Sequence, residues 1–341
     1  QQQVQRLVNR YVADYRSNHI YNAAALVADV ESGKILAYVG NVTDQNMTTG
    51  HGYQVDVITS PRSTGSVLKP FLYAAMLNDG LILPGTLIAD TPLNINSFYG
   101  AVPAHVAIER SLNVPLVRML SQYNTGRFMS LLKRLGMTTL RFSEDHYGAS
   151  LILGGAEGSL WDLSGMYASL ARMLSHYRSY NGRYDRSDIH PLTAYPIAEK
   201  KPIRSVTDTR LADESLLSYA SLWFMFEAMS GLNRPEEEAD WQQFSSMKQV
   251  AWKTGTSYGG RDAWAIGVTP RYVVGVWVGN ATGEGRSGLT GVGYAAPILF
   301  DIYSLLPDVP WFDQPYDELE EVAVCRQSGH KASAICDEVD T

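Results

Sequence analysis

Val4, Leu7, Val8, Tyr11, Val12 and Tyr15 recur every three or four residues, so residues 1 to about 17 are expected to form an amphipathic helix. The pattern then changes. "AAALVADVESGKILAYVG" holds two β-prone runs around Glu31-Ser-Gly-Lys34, a turn signal, and predicts a hairpin. From about residue 60 the period is helical again, in "SVLKPFLYAAML", "HVAIERSL", "GRFMSLLKRLG", "SLWDLSGMYASLARML" and "DESLLSYASLWFMFEAM". Gly-, Asn- and Asp-rich turns separate these segments. The stripe Leu163, Met166, Tyr167, Leu170 and Met173 reads as core. After about residue 248 strands return in "QVAWKTGTS", "DAWAIGVTP" and "RYVVGVWVGN", the last two joined at Thr269-Pro-Arg271. "PILFDIYSLL" closes the pattern as a helix, with Pro297 tolerated in its first turn.

Two hairpins from opposite ends of the chain can share one antiparallel sheet, with the terminal helices on one face and the helical block on the other. The expected class is α+β. Residues 1–59 would give the first part of a sheet subdomain, 60–247 a mainly helical subdomain, and 248–306 the second part of the sheet. Residues 307–341, Pro- and acid-rich from Asp308, read as a linker and the start of a further domain. The abrupt helical start reads as a fragment of a longer protein.

Composition narrows the function classes. The 341 residues are 45% hydrophobic with no apolar run long enough to cross a bilayer, enough for one large or two modest cores. A net charge of −7 and the absence of a basic block argue against a nucleic-acid surface. The two cysteines, Cys325 and Cys336, suit a disulfide or two free thiols rather than a metal site. The seven histidines form no metal-binding motif and read as structural.

Three short motifs carry candidate chemistry. Ser66 and Lys69 lie three apart where a helix starts, so the amine can reach the hydroxyl and activate it if the lysine is neutral. Helix-start N–H groups would favour negative charge developing there. Ser111-Leu-Asn113 lies at a helix end or loop, where a hydroxyl can relay a proton and an amide can hold a substrate amide. Lys253-Thr254-Gly255-Thr256 lies on a strand. Its cation and hydroxyls suit a carboxylate, Gly255 admits a close neighbour, and its charge would help to keep Lys69 neutral. Each motif alone is weak, and each of the first two has a decoy, Ser245–Lys248 and Ser179–Asn181. The ordered set S-x-x-K, S-x-N, K-T-G, on helix start, connector and strand, is specific. "GVGYAA" mimics a nucleotide loop but no βαβ unit follows, so it reads as a loop and helix cap.

On these motifs, with "STGSVLKPFLYA", "RSLNVPLV", "SLILGGAEGSL" and "AWKTGTSYGGRDAWAIGVTPRYVVGVWVGN", the chain resembles the transpeptidase domain of the bifunctional, class A penicillin-binding proteins over roughly residues 1 to 306. The resemblance implies the penicillin-binding/serine β-lactamase-like fold, a five-stranded antiparallel sheet covered by helices plus an all-helical subdomain. It implies a peptidoglycan D,D-transpeptidase that attacks the D-Ala-D-Ala end of a stem peptide and passes the acyl group to an acceptor amine. It implies covalent inhibition by β-lactams and no metal or other cofactor. Ser66 would be the nucleophile, Lys69 its base, and Ser111 with Lys253 the proton relay. Asn113, Thr254, Gly255 and Thr256 would bind substrate. Asp262 and Trp264 would be architectural. The full-length protein would be anchored at the extracytoplasmic, periplasmic face of the bacterial inner membrane with a glycosyltransferase domain, both outside this chain. "VCRQSGHKASAICDEVD" would enter a C-terminal domain. The segment between Thr91 and Ser111 is shorter than the family's usual one. The alternatives are a D,D-carboxypeptidase or β-lactamase-type hydrolase, against which no E-x-x-L-N segment is found, and a non-catalytic β-lactam sensor or adaptor of the wall-synthesis complex.

Overall fold

The computed structural model describes residues 1–43, 50–91, 100–195, 209–231 and 248–340. One five-stranded antiparallel sheet organises it. Its strands are β1 (Asn22–Asp29), β2 (Ile35–Val39), β9 (Ala251–Thr256), β10 (Asp262–Val268) and β11 (Tyr272–Gly279), in spatial order β2-β1-β11-β10-β9. The two hairpins meet at β1 and β11, in register from Asn22↔Gly279 to Asp29↔Tyr272. These strands do not alternate apolar with polar residues because both sheet faces are covered. Ala23, Ala25, Val27, Ala263, Ala265, Val274, Val276 and Val278 face one core, under helices α1 (Gln2–Tyr15) and α9 (Ala296–Ser304). Leu26, Trp264, Ile266, Val273 and Trp277 face the other, shared with the helical block. The fold is the mixed α and β arrangement that the periodicity predicts, with the terminal helices on one face.

The helical block comprises α2 (Lys69–Asn78), α3 (Ala104–Glu109), α4 (Asn113–Tyr123), α5 (Thr125–Arg134), α6 (Glu144–Tyr147), α7 (Leu160–Ser175) and α8 (Tyr219–Ser230). Among the described residues, four two-stranded ribbons brace the molecule. They pair β3 (Arg62–Ser63) with β6 (Glu157–Gly158), β4 (Leu87–Ala89) with β5 (Ala101–Pro103), β7 (Tyr184–Asp185) with β8 (Leu211–Ala212), and β12 (Val324–Cys325) with β13 (Val339–Asp340). The stripe Leu163, Met166, Tyr167, Leu170 and Met173 is buried.

Three local expectations differ from the structure. Helix α8 starts at Tyr219, not at Asp213, because the Ser218 hydroxyl caps it by accepting from the Ser221 N–H at 3.2 Å. Helix α4 follows α3 after only three residues, although its apolar face (Leu116, Met119, Leu120, Tyr123) is readable in the sequence. The stretch expected as a linker is bound down. Phe312 stacks on Phe226 at 5.0 Å, Trp311 Nε1 donates to Glu227 Oε1 at 2.6 Å, and Glu318 accepts from the Tyr184 hydroxyl at 2.6 Å. Aromatic side chains in an acidic segment found apolar and carboxylate partners on α8 and beside it. Ser245, the "RPEEEADW" stretch and residues 92–99 of the short segment before Ser111 lie outside the described residues.

Candidate active site

Ser66 sits in a turn just ahead of α2, not inside the helix. Val67 N–H donates to Thr64 O at 3.2 Å and Lys69 N–H to Ser66 O at 3.3 Å, a pair of three-residue steps into a helix with Pro70 in its first turn. The turn is fixed from several sides. Thr64 N–H and Oγ1 donate to Ala156 O at 3.0 and 3.1 Å. Ser63 Oγ donates to Gly154 O at 2.6 Å, Trp264 Nε1 to Ser63 O at 2.8 Å, and the Tyr167 hydroxyl to Val67 O at 2.7 Å. The two glycines that the motifs contain make the approach to β9 possible. Gly65 has φ +53°, and a Cβ on it would lie 2.6 Å from Thr256 N. A Cβ on Gly255 would lie 2.7 Å from Thr64 O and 3.3 Å from Ser66 N. The edge strand and the serine turn thus meet backbone to backbone.

The junction of α3 and α4 supplies the second motif. Ser111 N–H donates to Ile108 O at 3.0 Å and Leu112 N–H to Ala107 O at 2.9 Å, the bond pair of a Schellman helix end. Ser111 occupies its left-handed position with φ +53°, where glycine is usual. The strain of placing a serine there is of order 1 kcal/mol. Asn113 is the first residue of α4 and its side chain is exposed.

Two buried lysines approach this junction. Lys69 Nζ donates to Ser111 O at 2.7 Å, Leu112 O at 3.1 Å and Asn113 Oδ1 at 2.7 Å. Lys253 Nζ donates to Ser111 Oγ and to Thr254 O, both at 2.8 Å. Burial lowers the pKa of Lys69 to about 7. Burial first, and the Lys69 charge second, hold Lys253 well below the usual lysine range. Ser111 therefore separates two ammoniums that resist being charged together. The sequence reading made Lys253 the cation that neutralises Lys69. In the structure burial alone lowers Lys69, and it is Lys253 that is lowered further by the Lys69 charge.

Ser66, Lys69, Ser111, Asn113, Lys253, Thr254, Gly255 and Thr256 come together at one end of the sheet. Ser66 Oγ makes no hydrogen bond to another described residue, because the Lys69 donors are all directed at the Ser111–Asn113 segment. The Ser179–Asn181 decoy lies in the turn after α7. Sequence reasoning missed two supports. Tyr167, read only as core, holds the serine turn together with Trp264, and Gly291 N–H donates to Thr256 Oγ1 at 3.0 Å. Gly291 belongs to "GVGYAA", which is a helical turn entering α9 and touches the third motif. Nothing local in the sequence points across those separations. Asp262 and Trp264 are buried. Asp262 accepts from Trp277 Nε1 at 3.0 Å, which fits an architectural part.

The Ser66 turn, the Ser111 junction and the Lys253–Thr256 edge strand meet at one end of the sheet in this α+β frame, which is the frame of a penicillin-binding transpeptidase domain. Residues 23–167 match the family model of the penicillin binding protein transpeptidase domain, and the chain belongs to that family. It is 34% identical over 292 residues to penicillin-binding protein 1C of Escherichia coli K12, covering 83% of this chain and 34% of that protein. It is 26% identical over 349 residues to penicillin-binding protein 1A of Rickettsia felis, covering 90% of this chain and 41% of that protein. The chain thus spans between a third and a half of the length of these relatives. Among solved structures it resembles PonA1 of Mycobacterium tuberculosis in complex with penicillin V, with a TM-score of 0.65 and 20% identity over 92% of this chain and 87% of that one.

Proposed function

We propose that the chain is a peptidoglycan D,D-transpeptidase acting through an acyl-enzyme on Ser66. The observation that carries this reading is the junction at Ser111, held by Lys69 on its carbonyl and Lys253 on its hydroxyl beside the Ser66 turn. In the reaction, neutral Lys69 takes the Ser66 proton as Oγ attacks the penultimate D-Ala carbonyl. The N–H groups of Ser66 and Thr256 receive the oxyanion, each donor worth about 3–4 kcal/mol of barrier. Ser111, bonded to Lys253, passes a proton to the departing D-Ala amine. Lys253, Thr254 and Thr256 hold the terminal carboxylate against the glycine-thinned edge at Gly255. An acceptor amine from a second stem peptide then displaces Ser66 and forms the cross-link.

Asn113 has two parts to play in this scheme. A lysine that donates three hydrogen bonds is an ammonium, since a neutral amine has two hydrogens and one lone pair. Lys69 must release one acceptor before its lone pair can face Ser66. Asn113 Oδ1 is the one acceptor of the three on a side chain, and a substrate amide N–H would claim it. Substrate binding would thereby free the base.

The partners implied are stem peptides ending in D-Ala-D-Ala, an acceptor amine, and β-lactams as mimics of the donor. The setting implied is the extracytoplasmic face of the bacterial inner membrane, in a longer protein with a glycosyltransferase domain. Among the described residues no helix is long and apolar enough to cross a membrane. Intact mass after incubation with a penicillin tests the core of this reading. A stable adduct is expected on the wild type and none on Ser66→Ala, and an adduct that survives in the variant would overturn the site. Turnover of a D-Ala-D-Ala peptide with an added amine then separates the outcomes. Amine incorporation marks a transpeptidase, release of D-Ala alone a hydrolase, and acylation without turnover a sensor.

A further inference from the structure

The two cysteines are reactive groups that no step above uses. Cys325 closes β12, and Cys336 lies just before β13, whose Val339 pairs with Cys325. The ribbon between them is well bonded. Cys325 N–H donates to His330 O at 2.8 Å, Gly329 N–H to Cys325 O at 2.7 Å, and Arg326 N–H to Glu338 O at 3.0 Å. Both cysteines are free thiols. Cys336 Sγ accepts from Ser333 N–H at 3.4 Å. The β12–β13 register sets Cys336 on the segment leading into the strand that pairs with Cys325, and Cys325 first, with Ser333 second, lowers the Cys336 pKa below the usual thiol value.

The tip of the same ribbon is joined to the helical block. Leu87 N–H donates to Ser328 O at 2.8 Å and Thr86 Oγ1 to Gly329 O at 3.1 Å. Thr86 O in turn accepts from Ala104 N–H at 2.8 Å, at the start of the helix that ends beside Ser111.

We propose that Cys325 and Cys336 are a dithiol–disulfide couple whose oxidised form clamps the Ser328–Gly329 tip onto the Thr86–Leu87 edge. The oxidant is a small-molecule or protein disulfide. The Cys336 thiolate attacks one of its sulfurs and releases one thiol. The Cys325 thiolate then displaces the second, forming the Cys325–Cys336 bond. Two electrons and two protons leave the protein dithiol and appear on the oxidant as two thiols. The loop so closed contains Ser328 and Gly329, so the bond restricts the very carbonyls that Thr86 and Leu87 hold.

The test treats the whole chain with oxidised glutathione and afterwards with a reducing dithiol. Expected results are loss of two hydrogens from the intact mass and a peptide map joining Cys325 to Cys336. The Leu87 amide should exchange roughly 10–100-fold more slowly in the oxidised chain, as closure of a short loop predicts. Cys336→Ser should show neither change, and reduction should reverse both in the wild type. A chain that stops at a stable glutathione adduct, or whose thiols both still alkylate, overturns the couple. A disulfide that forms without slowing Leu87 overturns the clamp. None of these readouts depends on Ser66, so the transpeptidase reading stands or falls separately.

Discussion

At the scale of the residue, the proposed chemistry turns on Lys69. Its ammonium is enclosed with three oxygen acceptors, none of them a carboxylate, so desolvation is not offset by an opposite charge. The proton is bound less tightly than in water, and the base form becomes accessible near neutrality. The rate of penicillin acylation should therefore rise with pH through about 7 and level off above it, since only the neutral amine can accept the Ser66 proton. Stopped-flow acylation from pH 5.5 to 9 measures this, and a rate that falls over that range would remove Lys69 as the base. Ser111 is the second deciding residue. A left-handed serine at a helix end is uncommon, and its position between two lysines gives a reason for it.

At the scale of elements, the site depends on how closely an edge strand can approach a turn. Gly65 and Gly255 lie in different segments, and each removes the side chain that would strike the other segment's backbone. Gly65→Ala puts a Cβ 2.6 Å from Thr256 N at a φ of +53°, so the strand must move or the turn must open. Acylation should fall at least about tenfold, with stability lowered by about 1–3 kcal/mol from backbone strain. Unchanged acylation with an unchanged melting temperature would show that the contact is slack. The strands, α1, α7 and α9 were legible because their apolar period is long and local. The start of α8 and the extra helix α4 were not. A cap at Ser218 and a three-residue break at Arg110–Leu112 are short signals that a longer apolar run masks.

At the scale of the molecule, the sheet must be held to the helical block if Lys253 is to stay beside Ser111. One tie lies away from the cleft. His176, the C-cap of α7, bonds Glu31 in the β1–β2 turn and Asp188 in the segment after β7, each at 2.9 Å. Burial opposes its charge, but the two carboxylates together outweigh that and raise its pKa to about 9. The imidazolium is favoured in the folded state, so its stabilisation is full below about 6.5 and is lost as the pH rises through about 9. The contribution is on the order of 2–3 kcal/mol, since the Glu31 arm is largely exposed and screened. The melting-temperature gap between wild type and His176→Gln should be widest near pH 6 and close towards pH 10. A gap that does not depend on pH would mean that the ring acts by packing alone.

The sequence by itself determined the class of fold and named the candidate groups of the site. Apolar period is a local property, and the motifs at Ser66, Ser111 and Lys253 are each local in the chain. Only the tertiary structure decided how those groups act on one another. It placed Lys69 on the Ser111–Asn113 segment instead of on Ser66 Oγ, made desolvation the main cause of both lowered lysines, and turned "GVGYAA" towards Thr256. It also bound the tail from Trp311 to Glu318 against the helical block. These outcomes depend on burial and on contacts between residues far apart in the chain, and such quantities exist only once the chain has folded.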